Sequence, residues 1–227
     1  MPFLNDLLSK IPRSPTVPTT KWSAGASNWK ASPTTLVMVS TGNWLYGAGE
    51  AALVNANIGQ TPGTVLAQGI SAHAGVSLGW STFYISVAVM LLWIPLRRAP
   101  GLGTLINIIL VSISIDVMLN FFPHPKTLLW QVMQVLLGIL IIGIASALYI
   151  TSNLGAGPRD GLMTGLHFTF GWPIARVRLA IEGVLLISGW ALGGQVGLGT
   201  VLVTVLVGET IAICFGIANR VAGVTQV

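Results

Sequence analysis

The chain has 227 residues, 53% of them hydrophobic and 7% charged, with a formal net charge of +5. A charged share so far below the roughly 25% usual in soluble domains excludes an ordinary water-soluble globule. The Lys and Arg residues stand at the edges of apolar runs rather than in a cluster interleaved with aromatics, which speaks against nucleic acid and for membrane-topology signals.

Residues 1–32 are rich in Pro, Ser and Thr and carry Lys10, Arg13, Lys21 and Lys30 against Asp6 alone. This composition reads as a flexible basic cytoplasmic tail, held near anionic lipid by its charge. A signal peptide would place its apolar core directly after a basic start, whereas here apolar sequence begins only near Thr35, so the tail is expected to be retained. Residues 33–227 then read as one membrane domain.

Six apolar segments follow, at about 35–56, 80–96, 102–122, 128–150, 177–192 and 199–218. Their lengths suit spanning helices. Two semi-apolar helical stretches, 61–74 and 158–170, cover only about 20 Å each at 1.5 Å per residue, too little to cross. Lone Cys214 lies in the last apolar run, which excludes an intrachain disulfide. The Gly208, Ala212 and Gly216 spacing in that run predicts close helix packing. Trp80 and Trp130, near segment ends, suit an interfacial belt.

Sliding the chain against itself by about 96 positions superposes two segments without a gap. Gly47 falls on Gly143, Asn57 on Asn153, Gly59 on Gly155 and Pro62 on Pro158; further on, the Gly-Leu-Gly-Thr block that starts at Gly101 falls on the one that starts at Gly197. Each half, about 35–122 and 128–218, therefore reads as a spanning helix, an Asn-x-Gly-x-x-Pro break, a short broken or re-entrant helix, and two more spanning helices. Three crossings per copy turn the second copy upside down, so the expected fold is all-α: six transmembrane helices as two inverted three-helix repeats. With both termini cytoplasmic, Arg97, Arg98, Arg159, Arg176, Arg178 and Arg220 fall inside and Lys126 outside, a positive-inside pattern.

The breaks are the most distinctive local motifs. In the second, Pro158 suits the first turn of a new helix, Asp160 complements the helix dipole there, and Arg159 offers charged donors to an anion. Asn57, Gly59, Pro62, Asn153, Gly155, Pro158, Arg159 and Asp160 are therefore the expected substrate-binding set. The first half has Gly63 and Thr64 where the second has Arg159 and Asp160, so a charged site is expected on one side only. Glu50, deep in the first apolar run, is the expected ion-coupling residue. Glu182, four residues after Arg178, is expected in a structural ion pair. His73, His124 and His167 share no ligand spacing with Cys or carboxylates, so no metal site is expected, nor any cofactor or enzyme chemistry.

The stretch Leu148-Tyr-Ile-Thr-Ser-Asn-Leu-Gly-Ala-Gly-Pro-Arg-Asp-Gly-Leu-Met-Thr-Gly-Leu166, with Val177-Arg-Leu-Ala-Ile-Glu182 and Gly189-Trp-Ala-Leu-Gly-Gly194, resembles the YczE/YyaS/YitT-like family of bacterial membrane proteins. The resemblance covers roughly residues 40–218. It implies a multi-pass protein of the bacterial plasma (inner) membrane, of a kind often labelled permease. The family often shows Pro-Trp-Asp where this chain has Pro62-Gly63-Thr64, and often Pro where Glu209 stands. The expected function is a small secondary transporter or permease, with the lipid bilayer, a small polar or anionic substrate, and a second copy or another membrane protein as expected partners; the alternative is a non-transport membrane accessory or scaffold protein supporting another membrane or biosynthetic complex.

Overall fold

The computed structural model describes residues 14, 16–25 and 27–224. Among the described residues the chain forms eight α-helices and one isolated β-bridge, Thr20 to Gly223. The helices are α1 (Pro33–Ala56), α2 (Pro62–Ala74), α3 (Leu78–Leu91), α4 (Leu102–Met118), α5 (Leu128–Thr151), α6 (Pro158–Phe170), α7 (Ile174–Ala191) and α8 (Leu198–Ala222). By length and composition α5 and α8 can each cross a bilayer. A third span is available if α2 and α3, bent by 115° at their junction, count as one. Charge and length hold the others back: α1 carries Asn43 and Glu50, α7 carries Arg176, Arg178 and Glu182, and α4 has 17 residues.

Local chemistry sets the helix ends. Ser32, Thr61 and Ser77 cap α1, α2 and α3, their hydroxyls accepting from backbone N–H groups in the first turn. The second apolar segment, α3, stops at Leu91 rather than 96, because Pro95 in a continued helix would clash with the carbonyl four residues back, that of Leu91. The third, α4, stops at Met118 rather than 122. There Asn55 Nδ2 donates to the carbonyls of Leu119 and Phe122, both at 2.8 Å, and fastens the turn to α1.

The two halves keep the same local geometry. α2 and α6 each have 13 residues and begin on the proline of the break. Asn57 and Asn153 both adopt the left-handed conformation, with φ of 59° and 54°. Gly59 and Gly155 follow at φ of 110° and 121°, a region in which a Cβ would be strained.

Equivalent residues also make reciprocal contacts. Gly103 N donates to Leu154 O at 2.8 Å, and Gly199 N donates to Ile58 O at 2.7 Å, so each break is held by the start of the last helix of the other half. α1 packs most extensively against α5, and α4 and α8 flank this pair on α1 and α5 respectively. A Cβ on Gly42 would meet Ala145 and Tyr149, whereas one on Gly49 would meet Gly138 and Ile142, so α1 and α5 run antiparallel at close approach. The short helices pack across the halves, α2 on α7 and α6 on α3. On α8, a Cβ at Gly208 would meet nothing within 4 Å, so the close packing expected from its spacing is absent at that position.

The tail reading for 1–32 falls partly outside the described residues. Of those described, Trp22 Nε1 donates to Thr151 Oγ1 at 2.9 Å, Ala24 N to Ser152 O at 2.8 Å and Lys21 N to Ala222 O at 3.0 Å. Asn28 O accepts from Leu102 N at 2.9 Å. This segment is a strap across the second break and the end of α8.

Candidate functional site

The site begins on α1, whose Tyr46 and Glu50 share one face, four residues apart. Glu50 is 1% exposed. Leaving its carboxyl unpartnered there would cost several kcal/mol, and the start of α2 prevents this. The capping Thr61 donates its hydroxyl to Oε2 at 2.9 Å, and Thr64, one turn into the helix, donates to the same oxygen at 2.7 Å.

The second half brings the start of α6 to the same place. Trp93 Nε1, from the turn after α3, donates to Pro158 O at 3.0 Å, and Thr104 Oγ1 donates to Ala156 O at 2.7 Å, which fixes the break. Arg159 then reaches toward α1, with Nη2 3.4 Å from the Tyr46 hydroxyl, a long contact. A Cβ on Gly63 would stand 2.7 Å from Arg159 Nη1. Asp160 accepts from the Tyr149 hydroxyl at 3.0 Å, and the rings of Tyr149 and Tyr46 meet edge to face with centroids 6.1 Å apart. No carboxylate lies within 4 Å of the Arg159 guanidinium among the described residues.

These groups face a cavity of about 700 Å³. Glu50, Pro62, Asn153, Gly155, Pro158, Arg159 and Asp160, all singled out from sequence, line it. Asn57 and Gly59 lie behind the lining: Asn57 closes α1 and its carbonyl accepts from Gln195 Nε2 at 2.8 Å, while Gly59 packs on Gly197 and Thr200. Neither is among the described residues that line the cavity; both shape the turn that ends α1. Arg178 and Glu182 also line the cavity and pair with each other at 3.0 Å. Val17 and Asn28 of the strap reach its wall.

Sequence reasoning did not assign Tyr46, Tyr149 or Thr61 to the site. The four-residue spacing of Tyr46 and Glu50, which puts both on one face of α1, was the available signal. Asp116, an acid in an apolar run, accepts from Ser77 Oγ at 2.5 Å and Gly79 N at 2.7 Å and so secures the start of α3. Among the described residues no three His, Cys, Asp or Glu side chains converge as a metal site would require.

The family of unknown function DUF6198 matches residues 33–215. An uncharacterized protein of Haemophilus influenzae is 40% identical over 204 residues, 90% of this chain and 93% of its own length. The uncharacterized membrane protein YczE of Bacillus subtilis is 31% identical over 152 residues, covering 66% of this chain and 71% of its own. The uncharacterized protein YyaS of the same organism is 25% identical over 171 residues, covering 74% and 85%. No solved structure matches the chain. With its two apolar helices long enough to span and a relative named for the membrane, the chain is a membrane protein. Similar to YczE and YyaS and matched over most of its length by the family model, the chain belongs to the DUF6198 family.

Proposed function

We propose that the protein is a small secondary transporter or permease of the bacterial plasma membrane, and that it performs no enzyme chemistry. One observation carries this reading: a cavity of about 700 Å³ lies between the two broken-helix motifs and holds a buried carboxyl, Glu50, and a guanidinium, Arg159, free of ion pairs among the described residues. Ionisable groups at such depth are costly, and substrate or ion pathways are where membrane proteins keep them. The start of a helix aimed into a cavity is a recurring way to hold a polar substrate group.

In this reading the chain crosses six times, as two inverted halves with both termini cytoplasmic. The antiparallel packing of α1 on α5 and the reciprocal Gly103–Leu154 and Gly199–Ile58 hydrogen bonds support inversion, because equivalent helices run in opposite directions and equivalent contacts exchange halves. The positive-inside distribution of Arg supports the orientation. Short or polar helices such as α4 and α1 are tolerated because their polar faces turn to protein: Ser114 Oγ donates to Trp44 O at 2.6 Å and Asn107 Nδ2 to Asn43 Oδ1 at 2.5 Å.

The test is flux. Purified protein in liposomes containing a trapped pH dye, challenged in turn with sodium salts of small organic anions, should give solute-dependent signals. Glu50→Gln and Arg159→Ala should each reduce them while leaving thermal unfolding intact. Normal flux in both variants would remove the assigned site.

A further inference from the structure

The ligand class follows from the charge inventory of the cavity, and the argument rests on the transport reading above. Among the described residues, two guanidinium groups, Arg159 and Arg178, and three carboxyl groups, Glu50, Asp160 and Glu182, face it, together with the phenols of Tyr46 and Tyr149. α3, α4 and α8 contribute only non-ionisable polar groups there, such as Thr82, Ser86, Asn107 and Thr204. Arg178 and Glu182 neutralise one another at a partly exposed rim, 3.0 Å apart. That leaves one guanidinium against two carboxyls, with the starts of α2 and α6 adding roughly half a positive charge each. With Glu50 ionised, this set of described groups is therefore close to neutral.

A single anion settling on Arg159 would leave one uncompensated negative charge in a low-dielectric space, unless a proton enters with it. Glu50 is built to take that proton. Its partners are hydroxyls, Thr61 and Thr64, which donate to a carboxylate and can turn to accept from a carboxylic acid, so both protonation states keep hydrogen bonds. A guanidinium or ammonium donor in their place, with no acceptor, would hold the ionised form alone. α3 and α8 also bring Ile85, Val89, Val203 and Val207 to the lining, apolar surface that suits a short hydrocarbon arm.

The geometry points to a small organic monoanion, a carboxylate or sulfonate with a short apolar arm, bound on Arg159 together with one proton on Glu50. The only bond that changes is the O–H bond of Glu50: it forms with a proton taken from solution on binding and breaks as that proton leaves with the anion on release, and the two move as a neutral pair.

Isothermal titration calorimetry of 1-propanesulfonate into the full chain in lipid nanodiscs tests this, because the sulfonate stays ionised at working pH and carries no proton itself. Titrations in two buffers of different ionisation enthalpy should count about one proton taken up, and affinity should weaken on the order of tenfold per pH unit above the Glu50 titration. Glu50→Gln should bind the sulfonate with pH-independent affinity, and Arg159→Gln should lose it; if Glu50→Gln does not fold, the proton count on the natural chain decides. Sulfonate binding without proton uptake, or binding of propylammonium in its place, overturns the inference and leaves the transport reading standing. Neither ion binding up to about 50 mM, with cooperative unfolding intact, overturns both.

Discussion

Gly63 and Arg159 stand at the same position in the two halves and lie against each other in the fold: a Cβ on Gly63 would be 2.7 Å from Nη1 of Arg159. The missing side chain in one half is the space that the guanidinium of the other occupies. A similar exchange relates the next layer. Glu50 and Thr64 pair in the first half, where the equivalent positions of the second carry Ser146 and Asp160, so each half holds one carboxyl and one hydroxyl in opposite places. The site is asymmetric although the scaffold repeats.

Filling that space should therefore act on Arg159. Gly63→Leu is expected to displace the guanidinium and to reduce solute-dependent flux in liposomes as far as Arg159→Ala does. Its thermal midpoint should stay within a few degrees of the natural chain, since Gly63 is only half-buried and the obstacle is the far end of a flexible side chain.

Thr64→Val removes the shorter hydroxyl donor to Glu50 while keeping the shape of the side chain. A buried carboxyl losing one of two donors should cost about 1–3 kcal/mol, read as a lowered unfolding midpoint in detergent. Thr64→Ser, which restores the hydroxyl, should recover most of it.

The antiparallel seam of α1 and α5 gives a packing test. Gly49→Leu drives a side chain into Gly138 and Ile142 and should destabilise by about 1–3 kcal/mol or more. Gly208→Leu on α8, where a Cβ meets nothing within 4 Å, should leave stability unchanged within about 0.5 kcal/mol.

Thr104 and Thr200 hold opposite breaks: Thr104 Oγ1 donates to Ala156 O at 2.7 Å, and Thr200 Oγ1 accepts from Gln60 N at 3.2 Å. Thr104→Val and Thr200→Val should each cost about 1 kcal/mol by thermal unfolding, and the double variant about twice that, since the sites are independent.

Of the two breaks, the described part of the strap bonds to the second. Removing residues 1–25 takes away the hydrogen bonds of Trp22, Ser23 and Ala24 to Thr151 and Ser152. In a Cys214→Ser background, a cysteine at Asn153 should then react with a soluble maleimide several-fold faster than in the full chain, whereas one at Asn57 should not change.

Much of the scaffold was legible in the text of the chain. The two Asn-x-Gly-x-x-Pro breaks predict short helices at 61–74 and 158–170, and the helices found are Pro62–Ala74 and Pro158–Phe170, because proline at the first turn and glycine at the far end fix both limits. The stop at Leu91 was also encoded, in Pro95, but apolar content concealed it. What the chain did not disclose is what only tertiary packing decides. Nothing in the periodicity of α1 says that Tyr46 and Glu50 face α6 rather than lipid, and Tyr149 reads as an interfacial aromatic until Asp160 is seen beside its hydroxyl. The strap was concealed by a Pro-, Ser- and Thr-rich composition whose backbone groups find their partners on α5 and α8.

Inversion of the halves is the claim on which the cavity depends, and cysteine accessibility tests it most directly. In a Cys214→Ser background, single cysteines at Lys126, Arg98 and Trp172 are treated with a membrane-impermeant maleimide in spheroplasts and again after lysis. The account predicts labelling of position 126 in intact spheroplasts, and of positions 98 and 172 only after lysis. Labelling of position 98 or 172 from outside would contradict it.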